Sequence, residues 1–126
     1  IRMGYHNHSF EFEALNGGER GMDILLRETD PELVFFEIDL YWAANIGVDP
    51  KEYFRAHPGR FPMLHVKDRT ANGSMADVGR GNIDFAEIFD LAEIGGFKHY
   101  FVEHDNPDDG INSIAYSYRT VEAIRF

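Results

Sequence analysis

The chain has 126 residues, 44% of them hydrophobic and 27% charged, which is the length and make-up of one globular domain rather than of a disordered segment. It has no cysteine, which excludes disulfides, thiolate metal sites and cysteine nucleophiles. Its 12 Lys and Arg against 22 Asp and Glu leave a net charge of −10, which would repel phosphate backbones and anionic membrane surfaces. Neither nucleic acid nor membrane is therefore an expected partner.

In chain order, the first predicted strand runs approximately from Ile1 to His8 and ends in the polar run Tyr5-His6-Asn7-His8. A Gly-rich loop, Asn16-Gly17-Gly18, precedes a short helix over 19–28, and Asp30-Pro31 marks a turn, because the residue before proline is pushed out of the helical region. The second strand, Leu33 to Leu40, begins as a near-continuous apolar run, as expected of a parallel strand covered on both faces. Asp49-Pro50-Lys51-Glu52 opens the next helix with a cap, a proline at the first helical position and an acid three residues past the cap. Pro58-Gly59 stops it.

Met63 to Asp68 is the third strand. The Gly-containing stretch from Asp68 to Asn82 is expected to be a mobile loop. Asp84 and Glu87 cap a helix to about Ile94, and Gly95-Gly96 ends it. His99 to Glu103 is the fourth strand. In the last helix Ile114, Tyr118, Val121 and Ile124 form a one-faced apolar stripe. Alternating strands and helices with crossover-length connections mean a parallel sheet with helices packed on it. This leaves an open doubly wound sheet or half of a (β/α)8 barrel, which needs at least ~200 residues to close. No Gly-x-Gly-x-x-Gly follows the first strand, so the dinucleotide fingerprint of the open sheet is missing.

Every strand starts apolar and ends in groups able to bind a metal or move protons: His6 and His8, Glu37 and Asp39, His65 and Lys67, Glu103 and Asp105. Parallel α/β folds carry their active sites at the C-terminal strand ends. Members of each pair are two apart and so share a face of their strand. Buried carboxylates there need a partner, and a divalent ion held by nitrogen and oxygen ligands would supply one. Without cysteine the donor set suits Zn, Mn, Co, Fe or Mg. Other residues have structural readings. Asp68 and Asp105 cap or pair with neighbours. Phe35, Phe36, Phe85, Phe89 and Phe101 are core, Asp108-Asp109 is a solvated loop, and His57, His99 and His104 default to the surface.

Five strings then resemble a known family: Tyr5-His6-Asn7-His8 with Phe10-Glu11-Phe12, Glu37-Ile38-Asp39-Leu40-Tyr41-Trp42, Leu64-His65-Val66-Lys67-Asp68, Val78-Gly79-Arg80-Gly81-Asn82-Ile83-Asp84, and Phe101-Val102-Glu103-His104-Asp105. Together, in this order, they look like the C-terminal half of the sugar phosphate isomerase/epimerase family, the xylose isomerase-like TIM barrels. The fold this implies is α/β, four consecutive parallel βα units forming the C-terminal half of a (β/α)8 TIM barrel, as one partial domain over 1–126. It also implies one divalent metal, with Asp39, His65 and Glu103 on family ligand positions. His6 stands where other members show a glutamate, which puts the two-carboxylate epimerase mechanism in doubt. Branches with this His are also associated with unassigned sugar isomerases and with lyases acting on 3-keto-sugars.

The expected chemistry is isomerisation or epimerisation of a sugar or sugar phosphate by proton transfer through a metal-stabilised enediolate, with elimination from keto-sugars and non-catalytic sugar binding as alternatives. Glu103 is the expected base, assisted by His6 or His8. Lys67 would neutralise an oxyanion or grip a phosphate, unless it only pairs with Glu37. His8 and Trp42 would contact substrate, with Tyr41 as a further candidate wall, and Glu11 and Glu37 would orient His6 or His65. A DNA-repair endonuclease of the same barrel type would need a basic face, which the charge argues against. An open flavodoxin-like binding domain would instead place the polar ends across a switch point. Four units leave unpaired sheet edges, so a missing N-terminal half-barrel or a second copy is expected to cover them. A cytoplasmic location is the accompanying expectation.

Overall fold

The computed structural model describes residues 1–124. Four strands, β1 (Met3–His6), β2 (Val34–Asp39), β3 (Met63–Val66) and β6 (His99–Val102), form one parallel sheet in the order β1-β2-β3-β6. Between β3 and β6 lies a small antiparallel ribbon, β4 (Asp68–Arg69) with β5 (Met75–Ala76). The main strands follow chain order with no reversal. An open doubly wound sheet reverses at its switch point, whereas a barrel winds in one direction, so the order selects the half barrel.

The helices are α1 (Gly21–Glu28), α2 (Leu40–Asn45), α3 (Pro50–Ala56), α4 (Phe85–Phe89), α5 (Ala92–Gly95) and α6 (Gly110–Ala123). Their starts follow the expected chemistry. The Asp49 carboxylate accepts from the Lys51 N–H, with Pro50 at the first position. Asp84 accepts from the Glu87 N–H; Asp109, read from the sequence as part of a solvated loop, instead caps α6 by accepting from the Asn112 N–H. One face of the sheet meets these helices in an apolar core. Phe36, Ile38, Leu64 and Val66 pack there with Met22, Leu26, Phe54, Phe61, Ile88 and Phe89. Each such side chain contributes about 1.5–3 kcal/mol through removal from water.

Five expectations need correction. Helix α2 was not expected. It begins at Leu40, immediately after β2, because Asp39 both ends the strand and caps the helix. The helix expected over 84–94 breaks into α4 and α5 around Asp90 and Leu91.

The third correction concerns the stretch after β3, which is a built structure rather than a plain loop. The buried Asp68 carboxylate accepts from the backbone N–H of Arg69 (2.7 Å), Gly79 (2.8 Å), Gly81 (2.8 Å) and Ile83 (3.2 Å). Glycine is required at 81, where a Cβ would enter the space of that carboxylate, and at 79, where φ is +93°. Finally, the stripe on α6 meets the core only at its C-terminal end, where Val121 and Ile124 are half-buried against it. Ser113 and Ser117 are the buried residues of that helix, while Ile114 and Tyr118 are exposed beside the open edge of β6. Phe101, on the same edge strand and expected in the core, is 44% exposed. Both lie where four more βα units of a closed barrel would pack. Among the described residues no helix is long and apolar enough to cross a membrane.

Candidate metal centre at the strand ends

The register brings the polar strand ends level with one another: His6 pairs with Glu37, and Asp39 pairs with His65. Asp39 is fully buried, and its backbone N–H donates to the Oδ1 of the equally buried Asn7 (2.9 Å). One of its oxygens, Oδ1, accepts from the Trp42 N–H at the start of α2 (3.0 Å). The other, Oδ2, is left for the site. It lies 3.4 Å from His6 Nε2, 3.4 Å from His65 Nδ1 and 3.3 Å from Lys67 Nζ. Burial alone would raise the Asp39 carboxyl, but the His6 and His65 rings, the Trp42 N–H and the Lys67 ammonium outweigh it. They hold the group well below the usual carboxylate range.

His65 lies between carboxylates. Its Nε2 is 3.3 Å from Glu37 Oε1 and its Nδ1 is 3.3 Å from Glu103 Oε2. Burial would lower this imidazole, but Asp39, Glu37 and Glu103 more than offset that and raise its pKa. Nδ1 is nonetheless buried without a hydrogen bond, because neither nearby carboxylate oxygen meets it in bonding geometry. A buried ring nitrogen aimed among carboxylate oxygens, yet bonded to none, fits a site that shares a cation. The ligand atoms of His6, Asp39 and His65 all lie within 4.8 Å of one another. Glu103, the fourth expected ligand, reaches His65 and Lys67 but is not part of that compact triad.

The charge balance points the same way. The cluster holds four carboxylates, Glu37, Asp39, Glu103 and Asp105, against Lys67, His6 and His65. The donor set of imidazole nitrogen and carboxylate oxygen suits Zn, Mn, Co or Fe.

The other expected residues are placed as follows. The Lys67 side chain is 5% exposed and pairs with Glu103 (2.8 Å), Asp105 (2.9 Å) and Asp39 (3.3 Å), not with Glu37. Desolvation is outweighed by these carboxylates, so its pKa is raised. Asp105 and Asp68 have the structural partners expected of them. Glu11 does not orient His6 or His65. It is buried and accepts from the Tyr5 hydroxyl (2.8 Å) and the His8 N–H (2.8 Å), fixing the turn that carries His8. Burial, together with Glu11, pushes the Tyr5 phenol up to about 12. The His8 ring stacks near Phe10 (6.0 Å) and lies 5.4 Å from Trp42, while Tyr41 is buried and donates to the Gly73 carbonyl (3.0 Å). Tyr41 is thus a core residue, while Trp42 packs against His8.

The sequence reading missed His104. It is not a surface residue: its Nδ1 lies 3.0 Å from Asp77 Oδ1, which also accepts from the Ser113 hydroxyl (2.5 Å). These three residues are far apart in the chain, and no motif links them.

A barrel with polar strand ends converging on one mouth defines the class, and the comparisons agree. The chain is a xylose isomerase-like half barrel, similar to sugar phosphate isomerase/epimerases over almost its whole length. One such enzyme-family structure from Parabacteroides distasonis matches 99% of this chain at 32% identity, with a TM-score of 0.86 and 47% of its own length covered. A second from the same organism matches 94% at 36% identity, with a TM-score of 0.75 and 43% of its length covered. A D-tagatose 3-epimerase-like protein shares the fold at 19% identity and a TM-score of 0.65, with 98% of this chain and 48% of its own covered. The chain therefore spans less than half the length of these solved relatives. No protein-family model and no curated protein matches it.

Proposed function

We propose that the barrel to which these four units belong is a divalent-metal-dependent sugar or sugar phosphate isomerase/epimerase. The observation that carries this reading is the buried, unbonded His65 Nδ1 set between Asp39 and Glu103, next to His6. A divalent ion held here would supply Lewis-acid stabilisation for negative charge developing on a sugar oxygen as the neighbouring C–H proton is removed. His6, Asp39 and His65 would hold it, with Glu103 at the open side.

Glu103 is 45% exposed, so its carboxylate can reach a substrate carbon and act as the proton-moving base. Lys67, tied to three carboxylates, holds Glu103 in place and is poorly free to grip a phosphate. His8 and Trp42 form the wall against which a sugar ring would lie. Glu37 fixes the orientation of His65 through the far ring nitrogen. A lyase acting on keto-sugars is the second reading. It is favoured by His6, whose Nε2 is turned to Asp39 and so leaves one face of the substrate without a carboxylate base. The ligand expected is a small sugar or its phosphate, the compartment the cytoplasm, and the missing partner the other half of the barrel.

The test is solvent deuterium wash-in with a panel of keto- and aldo-sugars, free and phosphorylated, in the presence of Mn2+. Deuterium at the carbon next to the carbonyl supports isomerase or epimerase chemistry, and loss of a substituent supports the lyase. Binding without either leaves a sugar-binding protein.

A further inference from the structure

The Lys67 ammonium is nearly sealed from solvent, yet two of its three partners, Glu103 and Asp105, are 45% and 39% exposed. A buried ammonium is costly unless it is paired, and this one is paired three times over. Two of the oxygens it contacts, Asp39 Oδ2 and Glu103 Oε2, are the same two atoms that flank the unbonded His65 Nδ1. An ammonium and a divalent ion held by these residues must therefore draw on the same pair of oxygens. The third partner, Asp105, joins the cluster through Lys67 on the solvent side.

We infer that Lys67 is a built-in counter-ion that competes with the divalent cation for Asp39 and Glu103, and that Asp105 draws its ammonium aside when the cation binds. This rests on the metal reading above and adds a positioning residue to it. The physical basis is simple. Without a cation the buried Asp39 carboxylate and the half-exposed Glu103 would face each other across the site, and Lys67 pairs with both so that the strand ends fold together before loading. Once the cation arrives, two positive centres share two oxygens and repel strongly. At an effective dielectric of about 20, like charges a few ångströms apart change a binding constant by tenfold or more. Lys67 therefore keeps the site intact at the cost of affinity, and Asp105 limits that cost.

The experiment is Mn2+ binding to protein stripped with chelator, followed by calorimetry and by loss of the free-ion electron paramagnetic resonance signal. Lys67→Met is expected to bind Mn2+ about tenfold or more tighter than the unaltered protein. Asp105→Asn is expected to bind it several-fold more weakly, and that weakening should disappear in the Lys67→Met background. A merely structural lysine would weaken binding on removal, and its effect would not be coupled to Asp105. If the unaltered protein binds one Mn2+ and Lys67→Met binds no tighter, the inference falls and the metal site stands. If neither binds, the metal site falls and takes the inference with it. Should Lys67→Met fail to fold, an Asp105→Asn affinity equal to or above that of the unaltered protein overturns the inference alone.

Discussion

Replacing Asp68 by alanine tests whether the segment between β3 and β6 is held as a built structure. The carboxylate accepts four backbone N–H groups, and the two shortest bonds across the loop, from Gly79 and Gly81, both end on Oδ2. A buried donor left without an acceptor costs roughly 1–3 kcal/mol, and these four are partly buried. Water entering the space vacated by the carboxylate recovers part of this, so the net loss is about 3–5 kcal/mol. Against a domain stability of roughly 5–15 kcal/mol this is a large fraction. With a urea slope of about 1–3 kcal/mol per molar, the unfolding midpoint should drop by about 2 M. Gly81→Ala should reproduce much of the loss, because its Cβ enters the space of the same carboxylate. The assay is urea unfolding followed by circular dichroism. A fall of less than about 1 kcal/mol for Asp68→Ala would refute the reasoning, since it would mean that the loop's N–H groups find water as easily as the carboxylate.

Glu37→Gln removes the charge that holds His65 through Nε2, so Mn2+ affinity should fall by about 10–100-fold while the urea midpoint barely moves; calorimetry on stripped protein reads both the affinity and the stoichiometry. Asp77 gives a pH prediction away from the candidate metal centre. The Ser113 hydroxyl, then His104, hold its carboxyl below the ordinary value despite some burial. A depressed folded pKa adds stability above the unfolded carboxylate range near about 4, and that stability is lost as pH falls through the folded value. Urea midpoints between pH 7 and pH 3 should therefore fall less steeply in Asp77→Asn than in the unaltered protein, and parallel curves would contradict the pairing.

The four strands of the main sheet were legible in the sequence to within a residue or two, because apolar runs ending in His, Asp, Glu and Lys mark both the strand and its polar end, while the short β4–β5 ribbon was hidden in a stretch that reads as loop. Helix starts at Asp49 and Asp84 follow from a carboxylate capping the first turn, which is a local interaction, whereas the cap at Asp109 is hidden in an acidic turn that reads as solvated loop. Helix α2 escaped because Asp39 serves as strand end, cap and site residue at once, so no separate start signal precedes Leu40. The stripe on α6 was read correctly as a face, but periodicity does not say what covers a face. In this half barrel Ser113 and Ser117 take the inner side, and Ile114 and Tyr118 lie at the open edge. Of the candidate site, the convergence of His6, Asp39 and His65 could be foreseen from strand-end spacing. The choice of Asp105 over Glu37 as partner of Lys67, and the Asp77–His104–Ser113 cluster, depend on contacts between separate segments and leave no local trace.

The central claim is that imidazoles and carboxylates from separate strands share one cation. It is tested most directly by elemental analysis of purified protein after dialysis against Mn2+ or Zn2+, alongside Asp39→Ala and His65→Ala. One divalent ion per chain, lost in both variants, is the predicted result. Full metal content in either variant, or none in the unaltered protein at saturating metal, would contradict it.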